Sequence, residues 1–239
     1  MKKTGVFIHS VLFQIAFYLV TVVQAVLYLP ILILPRRYTI WAPTLWCRST
    51  RFLLRWTAGI RVDIKGLENL PRQNGYIVAS KHQSAMETVL FHALIPHAVY
   101  ILKKSLVFIP IVGWYFLKTG CIAINRQAGM KSMHQLMHDA CARVQDGYNV
   151  IIFPEGTRTK PGTHGKYNPG VAMIYEKCRV PVVPVALNTG YFWPKNSFKR
   201  YPGVVTIEFL PPIEPGLDKR AFLTQLEEKI EQACARMTP

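Results

Sequence analysis

Acidic residues are scarce in this chain. Asp and Glu number 13 against 29 Lys and Arg, a formal net charge of +16 over 239 residues. None lies before Asp63, whereas Lys2, Lys3, Arg36, Arg37, Arg48, Arg51, Arg55 and Arg61 all do. Such an excess suits nucleic acid, an acidic substrate or an anionic membrane face. The long apolar segment among those early cations has no place in a nucleic-acid binder, so anionic membrane lipid is the expected partner. Cysteine is sparse as well. Cys47, Cys121, Cys141, Cys178 and Cys234 are scattered and odd in number, with no Cys-x-x-Cys and no Cys/His cluster. That pattern supports neither a disulfide framework nor a zinc site, and reduced, cytosol-facing thiols fit it best. No Gly-x-Ser-x-Gly occurs, which argues against the nucleophile elbow of a serine hydrolase. Repeats and low-complexity tracts are missing too. The length suits one large α/β domain with an appendage.

The appendage is the apolar stretch from Val6 to Leu34. As a helix, its length is about 43 Å against a hydrocarbon core of about 30 Å. A signal peptide is the rival reading, but the apolar run continues through Leu34, past the faint cleavage-like Val23-Gln24-Ala25. Ser10, Gln14, Thr21 and Gln24 fall within roughly 80° of one another on a helical wheel. That stripe suits a face turned toward another helix or toward water; a plain spanning helix tolerating a few polar residues is the alternative. Trp41 to Trp56 puts Arg48, Arg51 and Arg55 on one side and Leu45, Trp46, Leu53 and Trp56 on another, the pattern of an interfacial helix. Basic residues flank both ends of the apolar segment, without the asymmetry of a single crossing. The expectation is a monotopic helical hairpin over residues 1–59 and a catalytic domain over 60–239.

Within the second part, Arg61–Gly66, Tyr76–Ala79, Val99–Leu102, Cys121–Ile124, Val150–Phe153, Val182–Leu187 and Val204–Leu210 read as seven strands. Helical spacing appears after Ser84, over 129–146 (Met130, Met133, Met137, Ala140, Cys141, Val144), over Val171–Lys177 and over Phe222–Met237. Lys103 to Trp114 reads either as an ordinary core helix or as a membrane-facing entry for an acyl chain. Alternating strands and helices predict a mixed, largely parallel seven-stranded sheet flanked by helices. Sites in such folds gather beyond the carboxyl ends of strands. His82, Arg126 and Glu155–Arg158 all fall there.

His82 and Glu87 are five residues apart. On one regular helix they would diverge by roughly 140°. They meet only if His82 precedes the first helical turn. A histidine held by a carboxylate is a sound base for a hydroxyl proton. Ser84-x-x-Glu87 is equally a helix capping box.

Four blocks carry a resemblance: His82 to Glu87, Gly120 to Arg126, Phe153-Pro154-Glu155-Gly156-Thr157-Arg158, and Val180 to Val185. In this order they resemble the glycerolipid acyltransferase family, specifically its bacterial 1-acyl-sn-glycerol-3-phosphate acyltransferases, over residues 60 to 211. The usual acid of the first block is Asp, and Glu87 departs from it by one methylene. The resemblance implies a glycerol-3-phosphate acyltransferase-like fold and a lysophosphatidic acid acceptor. The acyl thioester is carried by coenzyme A or acyl carrier protein, no bound cofactor or metal is needed, and the enzyme works at the cytoplasmic face of the inner membrane. It implies His82 as base assisted by Glu87, with Arg126, Glu155, Gly156, Thr157 and Arg158 binding the acceptor. The fourth block would lie on the acyl side, although its residues alone read as structural. Arginine forks match phosphate oxygens, and backbone amides near the helix start are expected to hold the oxyanion. Glu155 either positions a hydroxyl, pairs with Arg126 or Arg158, or forms a salt bridge that shapes its loop. The remaining readings are an acyltransferase acting on lyso-ornithine lipid or glycerol-3-phosphate, and a non-catalytic membrane-bound scaffold.

Overall fold

A computed structural model describes residues 3–125 and 129–238. Helix α1 (Lys3–Leu27) is followed by a 3-10 turn (Leu29–Ile33), the short α2 (Arg36–Thr39) and α3 (Trp41–Thr57). Pro30 and Pro35 punctuate the reversal, since proline removes the donor a continuing helix needs. The returning helix packs against α1 as a hairpin. His9 Nδ1 lies 2.8 Å from Thr57 O, Trp46 Nε1 donates to Thr21 Oγ1 at 2.9 Å, and Gln24 Nε2 donates to Ser49 Oγ at 2.8 Å. Thr21 and Gln24 of the polar stripe thus face another helix. Farther along, Ser10 Oγ accepts from Arg200 N at 2.8 Å. Phe13 and Leu54 are buried in the main core, with Trp193 edge-on to Phe13 at 5.2 Å. The outer face stays apolar and uncovered at Phe7, Ile8, Leu12, Ile15, Leu19, Val22, Trp41, Phe52 and Trp56.

The strands are β1 (Ile60–Lys65), β2 (Ile77–Ser80), β3 (Ala98–Lys103), β4 (Ile122–Ile124), β5 (Asn149–Ile152), β6 (Val182–Leu187) and β7 (Gly203–Phe209). They form one mixed, largely parallel sheet in the order β1-β7-β6-β2-β5-β3-β4, and only β6 and β7 run antiparallel. The central β2, β5 and β6 are buried throughout, which suits their Val/Ile-rich sequences. The other helices are α4 (Met86–Leu94), α5 (Val112–Thr119), α6 (Gly129–Gln145), α7 (Gly170–Cys178), α8 (Thr189–Phe192) and α9 (Lys219–Ala235). One core holds Leu54, Met86 and Phe91, a second holds Met137, Ala140, Ile174, Phe222 and Leu226, and a small third holds Ala186, Leu210, Ala233 and Met237. The methionine stripe of α6 is therefore core, the Met130 side chain lying outside what is described. Val78 of β2 is level with both Ile151 of β5 and Val183 of β6. That register brings the turns after the three strands to one edge, and the candidate site forms there.

One of two open readings falls away, and one expectation needs correction. Lys103 to Trp114 is not a core helix. It is a 3-10 turn (Lys104–Phe108) leading into α5, with Leu106, Phe108, Ile109, Trp114 and Leu117 exposed. Nor are all five cysteines free. Cys141 on α6 and Cys178 at the end of α7 are bonded, while Cys47, Cys121 and Cys234 are free. The bonded pair is 37 residues apart in sequence and met by helix packing, so no local spacing announces it.

Candidate active site

The residues after Ser80 leave the sheet without entering a helix. His82 sits in that turn, the placement its spacing from Glu87 requires. Its Nδ1 lies 2.8 Å from Glu87 Oε1. The same oxygen accepts from the backbone N–H of Gln83 (2.8 Å) and Ser84 (2.7 Å). Glu87 Oε2 accepts from Thr189 Oγ1 at 2.7 Å. Four donors thus converge on a carboxylate that is 0% exposed, an environment built for an acceptor-only group. The capping and orienting readings coincide: Glu87 returns to the Ser84 N–H while gripping His82. Ser84 Oγ accepts from Met86 N at 3.1 Å, one residue short of the standard box. The His82 ring stacks on Phe153 at 4.0 Å between centroids and 20° between planes. With Nδ1 engaged, Nε2 is the nitrogen left for substrate. The His82 side chain is 15% exposed and borders a cavity.

That cavity has a volume of about 500 Å³. Its lining includes His82, Phe153, Gly156, Thr157, Arg158, Lys103 and Lys195, together with Tyr100, Phe116 and, from the hairpin, Thr21, Ala25 and Trp46. The lining is mostly apolar. His92 also lines it, edge-on to Tyr100 at 4.8 Å, and burial pulls its pKa down to about 4. Thr157 is exposed and Arg158 half-buried on the wall, and Lys195 Nζ donates to Arg158 O at 2.9 Å. No carboxylate pairs with the Arg158 guanidinium among the described residues. Arg126 lies outside the described residues.

Glu155 is placed differently from Thr157 and Arg158. It is buried and does not pair with Arg158. Its Oε1 meets Lys81 Nζ at 2.8 Å and accepts from Thr159 Oγ1 at 2.9 Å, and its Oε2 accepts from His82 N at 3.0 Å. The loop-shaping salt bridge is the reading this geometry matches, with Lys81 as the partner. Lys81 is 1% exposed and also meets Glu231 Oε1 at 2.6 Å. Burial pulls the Lys81 pKa down, but the hydrogen bonds and charges of Glu155 and Glu231 outweigh that, so the net shift is upward and the ammonium is retained.

The amides expected to hold an oxyanion are occupied, since Gln83 and Ser84 N–H serve Glu87 and Gly156 N–H donates to Phe153 O. The fourth block leads into β6 and supplies its first four residues; Pro181 O, just before the strand, accepts from Ile77 N, and Val185 O accepts from Lys81 N. It borders β2 and does not line the cavity. Thr189 and Phe153 are not among the expected site residues, and Lys103 enters the expectations only through the membrane-facing acyl-chain entry. Thr189 is 102 residues from Glu87 and carries no local signal, while Lys103 and Phe153 stand at or just past the carboxyl ends of β3 and β5.

The Acyltransferase family model matches residues 61–188. The 1-acyl-sn-glycerol-3-phosphate acyltransferase of Pseudomonas aeruginosa is 33% identical over 186 residues, 78% of this chain and 72% of that protein. The 1-acyl-sn-glycerol-3-phosphate acyltransferase of Borreliella burgdorferi is 32% identical over 143 residues, 59% of this chain and 57% of its own. The crystal structure of the 1-acyl-sn-glycerophosphate (LPA) acyltransferase from Thermotoga maritima superposes with a TM-score of 0.81 at 24% identity, covering 95% of each chain, which establishes the fold.

Proposed function

The chain belongs to the acyltransferase family, and from that membership we propose that it moves a fatty acyl group from an acyl thioester to the sn-2 hydroxyl of 1-acyl-sn-glycerol-3-phosphate, giving phosphatidic acid. The observation that carries the mechanism is the 2.8 Å contact between His82 Nδ1 and Glu87 Oε1 at the cavity edge. Glu87 orients the ring and stabilises the imidazolium. Nε2 takes the hydroxyl proton as that oxygen attacks the thioester carbonyl. When the tetrahedral intermediate collapses, the thiolate leaves and takes the proton from Nε2. The nucleophile is the acceptor's own oxygen, with no acyl-enzyme.

Arg158, with Arg126 by family resemblance, grips the acceptor phosphate, and Gly156 and Thr157 border it. Lys103 and Lys195 also line the cavity and add positive charge. The mostly apolar lining of the cavity suits an acyl chain. Glu155 serves the site through its loop. Residues 1–59 act as the membrane-anchoring hairpin and 60–239 as the catalytic domain. The uncovered apolar faces of α1, α3, α5 and the turn before it support seating in anionic lipid at the cytoplasmic face of the inner membrane. The donor is acyl-coenzyme A or acyl carrier protein, and the exposed Lys103, Lys104, Lys195 and Lys199 suit either polyanion.

The test is transfer of labelled acyl groups from each donor to 1-acyl-sn-glycerol-3-phosphate, glycerol-3-phosphate and lyso-ornithine lipid by purified protein in vesicles. Transfer to the first acceptor is expected. Transfer confined to either of the others would reassign the acceptor, and no transfer from any donor would favour a scaffold.

A further inference from the structure

The described mechanism leaves one buried charged cluster unused. Lys81, Glu155 and Glu231 form a chain of ion pairs at 2.8 and 2.6 Å, with Tyr167 OH donating to Glu231 Oε1 at 3.0 Å and Lys81 Nζ donating to Thr163 O at 3.2 Å. One ammonium is shared by two carboxylates, all nearly sealed from solvent. Such a cluster is a poor source of net stability, because desolvating three charges offsets their attraction, and an apolar replacement of equal volume often does as well. Its value must lie in what it holds.

What it holds is the peptide of the base. His82 N–H donates to Glu155 Oε2 at 3.0 Å, and His82 C=O accepts from Thr159 N at 2.8 Å. Both backbone groups of His82 are thus tied to the loop that also carries Gly156 and Arg158. The other oxygen of Glu155 is anchored by the Lys81 ammonium, with the Thr159 hydroxyl beside it. Gly165 closes the cluster, since a Cβ there would collide with Glu155 Oε1. Glu231 stands on α9, 150 residues from Lys81, so the last helix is tied to the turn that bears the base. A ring fixed through Glu87 alone could still swing with its backbone. Fixing the backbone as well sets the direction of Nε2.

We propose that Lys81 and Glu231 are positioning residues for the acyl transfer: through Glu155 they lock the His82 peptide, so that Nε2 meets the acceptor hydroxyl in line. This rests on the reading of His82 as the base.

The experiment compares purified Lys81→Met, Glu231→Leu and Glu231→Gln with wild type in vesicles, by kcat at saturating substrates, KM for the acyl donor and thermal melting. His82→Ala sets the floor. Tyr175→Phe is the control for lost stability, because it removes a buried hydroxyl bonded to Glu214 O at 2.6 Å, away from the cluster. Lys81→Met is expected to lower kcat about 100-fold, the loss a displacement near 1 Å brings, with donor KM within about threefold. Glu231→Leu should lose about tenfold or more in kcat, and Glu231→Gln, which keeps an acceptor for Lys81, should recover most of it. Wild-type kcat in folded Lys81→Met or Glu231→Leu would overturn the inference, as would an equal loss in Tyr175→Phe at matched melting temperature. If Lys81→Met does not fold, the two Glu231 variants decide. Failure of the base reading is distinguishable, since it alone would leave His82→Ala active.

Discussion

Replacing Glu87 by glutamine isolates the contribution of a single charge. Glu87 Oε1 takes three donors, His82 Nδ1, Gln83 N and Ser84 N, while Oε2 takes only the Thr189 hydroxyl. Glutamine has one acceptor oxygen, and three converging N–H groups force that oxygen to face them. Its NH2 then faces Thr189, whose hydroxyl rotates to accept. The hydrogen-bond count, the ring orientation and the Nδ1–H tautomer are all kept. The negative charge is lost, and the second amide N–H and the rotated Thr189 O–H must find new acceptors. A hydrogen bond to a charged group contributes about 1.5–3 kcal/mol against about 0.5–1.5 for a neutral one. The difference of about 1–2 kcal/mol corresponds to roughly 5- to 30-fold in kcat/KM. The assay is initial-rate transfer of labelled acyl groups in vesicles, with a melting curve to establish folding. Glu87→Leu, by contrast, strands four buried donors and should fold poorly. A folded Glu87→Gln with wild-type kcat/KM would refute the imidazolium-stabilising role. A loss near ten-thousandfold would refute the argument that the tautomer survives.

Other predictions follow from the same geometry. Removing the Arg158 guanidinium (Arg158→Ala) should raise the KM for the phosphate-bearing acceptor by roughly 10- to 150-fold, the loss of one charge-assisted hydrogen bond, with a much smaller change for the donor; unchanged acceptor KM would remove it from phosphate binding. His92 has its pKa lowered from 6.5 to about 4 by burial, so the unfolded chain binds the extra proton first. Stability should be full above pH 6.5 and fall by at most about 3 kcal/mol as pH drops through about 4. His92→Phe should flatten that slope in denaturant melts, and an unaltered slope would contradict it. Phe108 and Trp114 are 73% and 54% exposed. Phe108→Glu should weaken partition into anionic vesicles about 30-fold, from the roughly 2 kcal/mol of apolar burial forgone, as measured by co-sedimentation.

The fold was largely legible because its signal is local. Each of the seven strands is a short apolar or alternating run, and the observed ends fall within one residue of those read from the chain. The meeting of His82 and Glu87 was legible for the same reason, since five residues across a strand-to-helix turn leave few geometries. What escaped depends on burial and distance. Lys81 sits beside His82 in sequence, yet nothing in the chain marks it as sealed or as the partner of Glu231. Thr189 reaches Glu87 because β6 runs parallel beside β2, with Val185 level with Ser80, which is a property of the register. The cavity is walled on one side by α1 and α3, so a reading that separated anchor from catalytic domain could not see it. The amides expected at the oxyanion were already taken by Glu87, a competition that appears only once the turn is built.

The central claim is that His82 removes the proton from a lipid hydroxyl. It is tested most directly by measuring acyl transfer to 1-acyl-sn-glycerol-3-phosphate for wild type and folded His82→Ala side by side. The account predicts a fall of about 100- to 10,000-fold in kcat, the contribution of a positioned general base. A folded His82→Ala that retains transfer within a fewfold of wild type would contradict it.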